Sequence, residues 1–127
     1  MFVISKKILI IEDDPSFSRA LNHIVEKEGY DVIAASNGMT GLRMAKEDKP
    51  DLLILDVMLP GLDGFEICNR LRHDPPTANL PIIMLSAKGQ EADKTTGLKV
   101  GANEYLTKPV DRAVLLEKLT SLLAKER

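Results

Sequence analysis

At 127 residues the chain has the length of one domain and can bury a core without disulfide or metal staples. Hydrophobic residues make up 44% and charged residues 28%, an ordinary globular balance, and the formal net charge is only -2. The Lys and Arg residues are scattered, which argues against direct nucleic-acid contact or an anionic membrane as the main partner, and Cys68 stands alone, so a disulfide framework is excluded and a cytoplasmic location expected.

The first nearly continuous apolar run is Lys7–Ile11, which passes directly into Glu12, Asp13 and Asp14. It is too short for a signal peptide or a membrane span and reads as a strand covered on both faces. Asp14 as N-cap, Pro15 at the first helical position and Gly29 past the end then bound a helix. Its apolar face is Phe17, Ala20, Leu21, Ile24 and Val25. Asp31–Ala35 is a more mixed strand, and Asn37-Gly38 opens the second helix. Residues 52–55 are again continuously apolar, with a third helix opening at Asp63. The connection 72–79 holds His73 and Asp74-Pro75-Pro76, and residues 82–85 form the fourth strand. The fourth helix, expected over 91–100, is the weakest, because Thr95, Thr96 and Gly97 are poor helix formers together in its middle. Residues 104–106 form a short fifth strand, and Asp111 caps a last helix with Leu115, Leu119 and Leu122 on its buried stripe.

The pattern is an α/β, (βα)5 chain, expected as a doubly wound three-layer sandwich over residues 1–127 as a single domain. The first, third and fourth strands are the most apolar and belong in the centre; the second and fifth belong at the edges. That gives a five-stranded parallel sheet of order 2-1-3-4-5.

Ligands of such sheets bind at the carboxyl ends of the strands, where the strand order reverses. Strand one ends in Glu12, Asp13 and Asp14, strand three in Asp56, strand four in Ser86, and Lys108 follows strand five. Taken singly, each has a plain structural reading: Asp14 caps a helix, Asp56 suits a turn, Ser86 suits a cap, and Lys108 suits a solvated surface. Their convergence does not. Two carboxylates about 5 Å apart repel by roughly 3 kcal/mol at an effective dielectric near 20. Glu12, Asp13 and Asp56 together therefore require a cation, and hard oxygen ligands with room for water suit Mg2+. A metal site with one free carboxylate, a lysine and a hydroxyl suits phosphoryl transfer to an aspartate.

Four stretches carry a resemblance: Lys7-Ile-Leu-Ile-Ile-Glu-Asp-Asp-Pro15, Leu53-Ile-Leu-Asp-Val-Met-Leu-Pro-Gly-Leu-Asp-Gly64, Pro81-Ile-Ile-Met-Leu-Ser-Ala87 and Gly101-Ala-Asn-Glu-Tyr-Leu-Thr-Lys-Pro109. In order and spacing they resemble the receiver family of two-component response regulators. The resemblance implies that Asp56 is the phosphoacceptor and that Glu12 and Asp13 form the acidic pair, with Asp13 and the Met58 carbonyl as Mg2+ ligands. It implies that Lys108 contacts the phosphoryl group ahead of a cis bond to Pro109, and that Ser86 and Tyr105 are the switch residues. The Met58 and Ala87 backbone N–H groups would hold phosphoryl oxygens, while the Met58 and Lys88 side chains would tune hydrolysis. The implied donor is a sensor histidine kinase or phosphotransfer protein. The implied output is a switch in partner binding on the face of the fourth helix, fifth strand and fifth helix. Val114-Leu115 replaces the Glu-Leu pair usual in winged-helix members, so the expectation is a monomer or weak dimer with no output domain in this chain.

Two enzyme-like alternatives are weaker. A haloacid-dehalogenase phosphatase needs its nucleophilic Asp after strand one, where Glu12 stands. A flavodoxin-like electron carrier needs a Ser/Thr/Gly-rich phosphate loop there, and Asp13-Asp14-Pro15 would repel a phosphate. Cys68 falls on a helix as a core residue, and His23 and His73 lack metal-ligand company.

Overall fold

A computed structural model describes residues 5–87 and 92–124. The strands are β1 (Lys7–Ile11), β2 (Asp31–Ala35), β3 (Leu52–Asp56), β4 (Ile82–Ser86) and β5 (Glu104–Thr107). The helices are α1 (Pro15–Lys27), α2 (Gly38–Glu47), α3 (Gly64–Arg72), α4 (Ala92–Lys99) and α5 (Arg112–Ala124), with a 3-10 turn at Pro75–Thr77. The sheet order is β2-β1-β3-β4-β5 and every pairing is parallel, as the apolar runs imply.

The central strands are apolar at nearly every position because both faces are covered. Ile8, Ile10, Ile54 and Leu85 point to the side packed by Leu21 and Val25 of α1 and Leu115 and Leu119 of α5. Leu9, Ile11, Leu55 and Met84 point to the other side, against Leu42 of α2 and Ile67, Cys68 and Leu71 of α3. The period-2 alternation of a strand thus feeds two cores at once. Each fully buried Leu or Ile contributes about 1.5–3 kcal/mol against an exposed one, so the sheet is a rigid base for what stands on its rim.

Local signals place the helix starts. The side chains of Asp14, Asn37, Asp63 and Asp111 accept the backbone N–H groups of Ser16, Thr40, Glu66 and Val114 at 3.1, 2.9, 3.0 and 3.2 Å. Gly64 opens α3 because a Cβ there would sit 2.4 Å from the Asp56 carbonyl oxygen. The glycine lets α3 begin directly against the end of β3. One detail differs from the helical reading: Ala20 is exposed, at the margin of an apolar face centred on Leu21 and Val25. The proposed start of the fourth helix at Glu91 lies outside the described residues, as does Lys88.

Candidate functional site

The reversal point of the sheet lies between β1 and β3. β1 delivers Glu12, whose N–H donates to the Ala35 carbonyl at 3.0 Å and whose carboxylate is turned inward, 2% exposed. β3 delivers Asp56, 3% exposed, beside it. Asp13 faces outward. One carboxylate oxygen from each of these three residues lies within 4.8 Å of the others. Lys108 enters from the far edge of the sheet, held by its N–H to the Ser86 carbonyl at 2.8 Å and followed by a cis peptide bond to Pro109. Its Nζ reaches 3.0 Å from Glu12 Oε1 and 3.4 Å from Asp56 Oδ2. The contact is an ion pair shared between two acids rather than one aligned hydrogen bond. Ser86 ends β4 at 1% exposure, its Oγ donating weakly to the Ala87 carbonyl at 3.4 Å.

The electrostatics follow from this crowding. Burial pushes the Asp56 carboxyl up from its ordinary 3.8 to about 6, and the neighbouring Glu12 charge adds to the effect. Lys108 and the Met58 N–H, 3.3 Å from Asp56 Oδ1, oppose it without cancelling it. Burial works against the Lys108 charge, but Glu12 and Asp56 outweigh it and hold the ammonium above its usual range. Three acids therefore face one lysine. The donor set, all oxygen and partly open to water through Asp13, is of the kind that suits a hard divalent cation such as Mg2+.

Glu12, Asp13, Asp56, Ser86 and Lys108 stand on the same rim of the sheet, and the Asp14 side chain caps α1. Asp14 also donates its N–H to Glu12 Oε2 at 3.0 Å, which fixes the second oxygen of that acid. Met58 is 58% exposed beside Asp56. Tyr105 pairs with Met84 in register, its ring lies beneath Gly97, and its hydroxyl is already buried. Cys68 is fully buried core, and His23 and His73 are exposed. A cavity of ≈ 400 Å³ is at the opposite end of the sheet near Pro50 and Leu80, and none of these acids lines it. A second, ≈ 390 Å³, adjoins Glu12 and Asp13 between α1 and the end of β2.

Two features were not foreseen. The Phe17 ring, counted only as core, lies 4.5 Å from Lys108 Nζ. Arg72 donates from Nε to the Gly101 carbonyl and from an Nη to Asn103 Oδ1, both at 2.9 Å, tying α3 to the loop before β5. Neither leaves a local sequence signal, since the partners are far apart in the chain.

A doubly wound parallel sheet with an aspartate-centred acid pocket at its reversal point, and Lys108 beside it, defines a flavodoxin-like α/β fold. Residues 8–120 match the family model of the response regulator receiver domain, and the chain belongs to that family. Among its relatives is the DNA-binding dual master transcriptional regulator RpaA of Synechocystis sp., 46% identical over 119 residues, 94% of this chain. The chain spans 49% of RpaA, about half its length. A candidate response regulator from Chloroflexus aurantiacus J-10-fl has the same fold, with a TM-score of 0.93 and 38% identity over 96% of this chain and 100% of its own. The receiver domain of the sensor histidine kinase PA1611 from Pseudomonas aeruginosa PAO1, with a magnesium ion coordinated in its active-site cleft, aligns with a TM-score of 0.89 at 30% identity, over 96% of this chain and 100% of its own. Among the described residues no helix is long and apolar enough to cross a membrane.

Proposed function

We propose that this receiver domain accepts a phosphoryl group on Asp56 from a histidine kinase or phosphotransfer protein, in a reaction that requires Mg2+. The observation that carries the reading is the placement of Asp56: 3% exposed, 3.4 Å from Lys108, and clustered with Glu12 and Asp13. Asp13, Asp56, Glu12 (through water) and the Met58 carbonyl would hold the cation, which when bound would neutralise charge on the transferring phosphoryl oxygens.

The chain's own groups supply the rest. An Asp56 carboxylate oxygen attacks phosphorus in line; the new O–P bond forms as the bond from phosphorus to the donor's imidazole nitrogen breaks, and that nitrogen keeps the electron pair. Lys108 leaves Asp56 to bind one phosphoryl oxygen. The Met58 and Ala87 N–H groups and the Ser86 hydroxyl donate to the others. Output runs through α4, β5 and α5. Gly97 brings α4 within van der Waals contact of Met84 and Tyr105, and Leu98 and Val114 are exposed apolar side chains on α4 and α5. A shift at Ser86 is thereby carried to a surface that a partner can read.

Intact-mass measurement after incubation with acetyl phosphate tests this reading. The expected result is one added phosphoryl group with Mg2+, none in chelator, and none for Asp56→Asn under either condition. Equal uptake by Asp56→Asn would overturn the assignment.

A further inference from the structure

Lys108 has a third neighbour that the charges of the site do not require. On one side its Nζ faces Glu12 Oε1 at 3.0 Å and Asp56 Oδ2 at 3.4 Å; on another it lies over the Phe17 ring, 4.5 Å from the centroid. Phe17 is in the first turn of α1, half-buried against the core shared with α5. The ring is therefore fixed by packing, with its electron-rich face offered to the ammonium.

We propose that Phe17 is a positioning residue for phosphoryl capture, holding the Lys108 ammonium toward Asp56 while its two acidic partners are otherwise engaged. This rests on the reading of Asp56 as acceptor. Before transfer, Glu12 and Asp56 hold the lysine. During transfer one Asp56 oxygen is committed to the new bond, and the carboxylate oxygens of Glu12, Asp13 and Asp56 would be those that hold a divalent cation. A lysine freed from both acids is a strongly hydrated charge on a flexible stem and would swing into water. The ring is the neighbour that the reaction leaves unchanged. It attracts the cation without competing as a strong hydrogen-bond acceptor, so the ammonium N–H groups stay available for phosphoryl oxygens. A third carboxylate in this position would pull the lysine away from the phosphoryl group.

If Phe17 were only core filler, any side chain of its shape would serve. Fluorination separates the two roles, since it withdraws electron density from the ring face with little change of shape. The chain has three Phe residues, so mono-, di- and trifluorophenylalanine would be introduced at position 17 alone. The initial rate of phosphorylation by acetyl phosphate at saturating Mg2+ is expected to fall stepwise, to about one quarter at the trifluoro ring, with thermal midpoints unchanged. Phe17→Leu should match the trifluoro variant, and Phe17→Tyr should keep the parent rate. By NMR, the Lys108 ε-methylene protons should be shifted upfield by the ring, with and without Mg2+, and Phe17→Leu should return them to the ordinary lysine position. Flat rates across the series with a phosphorylated parent would remove the positioning role alone, as would ε-methylene protons at the ordinary position in the parent. A parent that takes up no phosphoryl group would instead remove the acceptor reading beneath it.

Discussion

Asp56→Asn should do more than abolish phosphorylation; it should stabilise the metal-free protein in a pH-dependent way. The folded chain holds the Asp56 carboxyl at about 6 against an ordinary 3.8, chiefly through burial and secondarily through Glu12. Below pH 3.8 the group is protonated in both folded and unfolded chains and has no effect on the balance. Between 3.8 and about 6 the folded chain retains a proton that the unfolded chain has released, so its stability falls as pH rises through that window. Above it the loss is complete. At about 1.4 kcal/mol per pH unit the gap corresponds to about 3 kcal/mol, or about 10 °C in the midpoint of a chain this size. Other acids titrate in both proteins, so the quantity of interest is the difference between parent and Asp56→Asn. Thermal melts in chelator should give nearly equal midpoints at about pH 4 and a variant more stable by about 10 °C at pH 7.5. Mg2+ should raise the parent selectively, since the folded state alone holds the assembled site. A difference that does not grow with pH would refute the claim that an ionised Asp56 is held under strain by its surroundings.

Three other perturbations follow from the same geometry. Asp13→Ala should weaken Mg2+ binding at least tenfold by titration calorimetry while leaving the metal-free midpoint unchanged or higher, because it removes an exposed acid from a repelling cluster. Amide exchange on adding Mg2+ with a beryllofluoride phosphoryl mimic should change most in α4 and β5, where Gly97 touches Met84 and Tyr105; protection confined to the acid pocket would separate the site from the proposed output face. Met58→Asn combined with Lys88→Glu should shorten the lifetime of the phosphorylated chain about tenfold, equivalent to about 1.4 kcal/mol, by admitting and orienting water that the bulky Met58 and the protonated Lys88 do not help; unchanged decay at matched Mg2+ would free these positions of that role.

The order of the sheet was legible because burial on two faces leaves β1, β3 and β4 almost no polar residue until their carboxyl ends. The polar residues that break those runs, Glu12, Asp56 and Ser86, are for that reason also the candidate site. The caps were equally readable, since Asp14, Asn37, Asp63 and Asp111 act within three residues of their partners. What sequence did not give are contacts across the fold. Lys108 is expected from sequence to serve a phosphoryl group, whereas its 3.0 Å contact with Glu12 has no local signal. Phe17 met the helical periodicity of a core residue, and nothing in that periodicity says that an ammonium lies over its ring. Nor does any local pattern show that Gly97, by lacking a Cβ, leaves room for the Tyr105 ring under α4.

Reduction of the phosphorylated chain with borohydride tests the central claim most directly, because it converts an aspartyl phosphate, and no ordinary carboxylate, into an alcohol. After incubation with Mg2+ and acetyl phosphate, peptide mapping should find homoserine at position 56 alone, with Glu12, Asp13 and Asp63 intact. Homoserine at another aspartate, or a phosphorylated chain that resists reduction at position 56, would contradict the account.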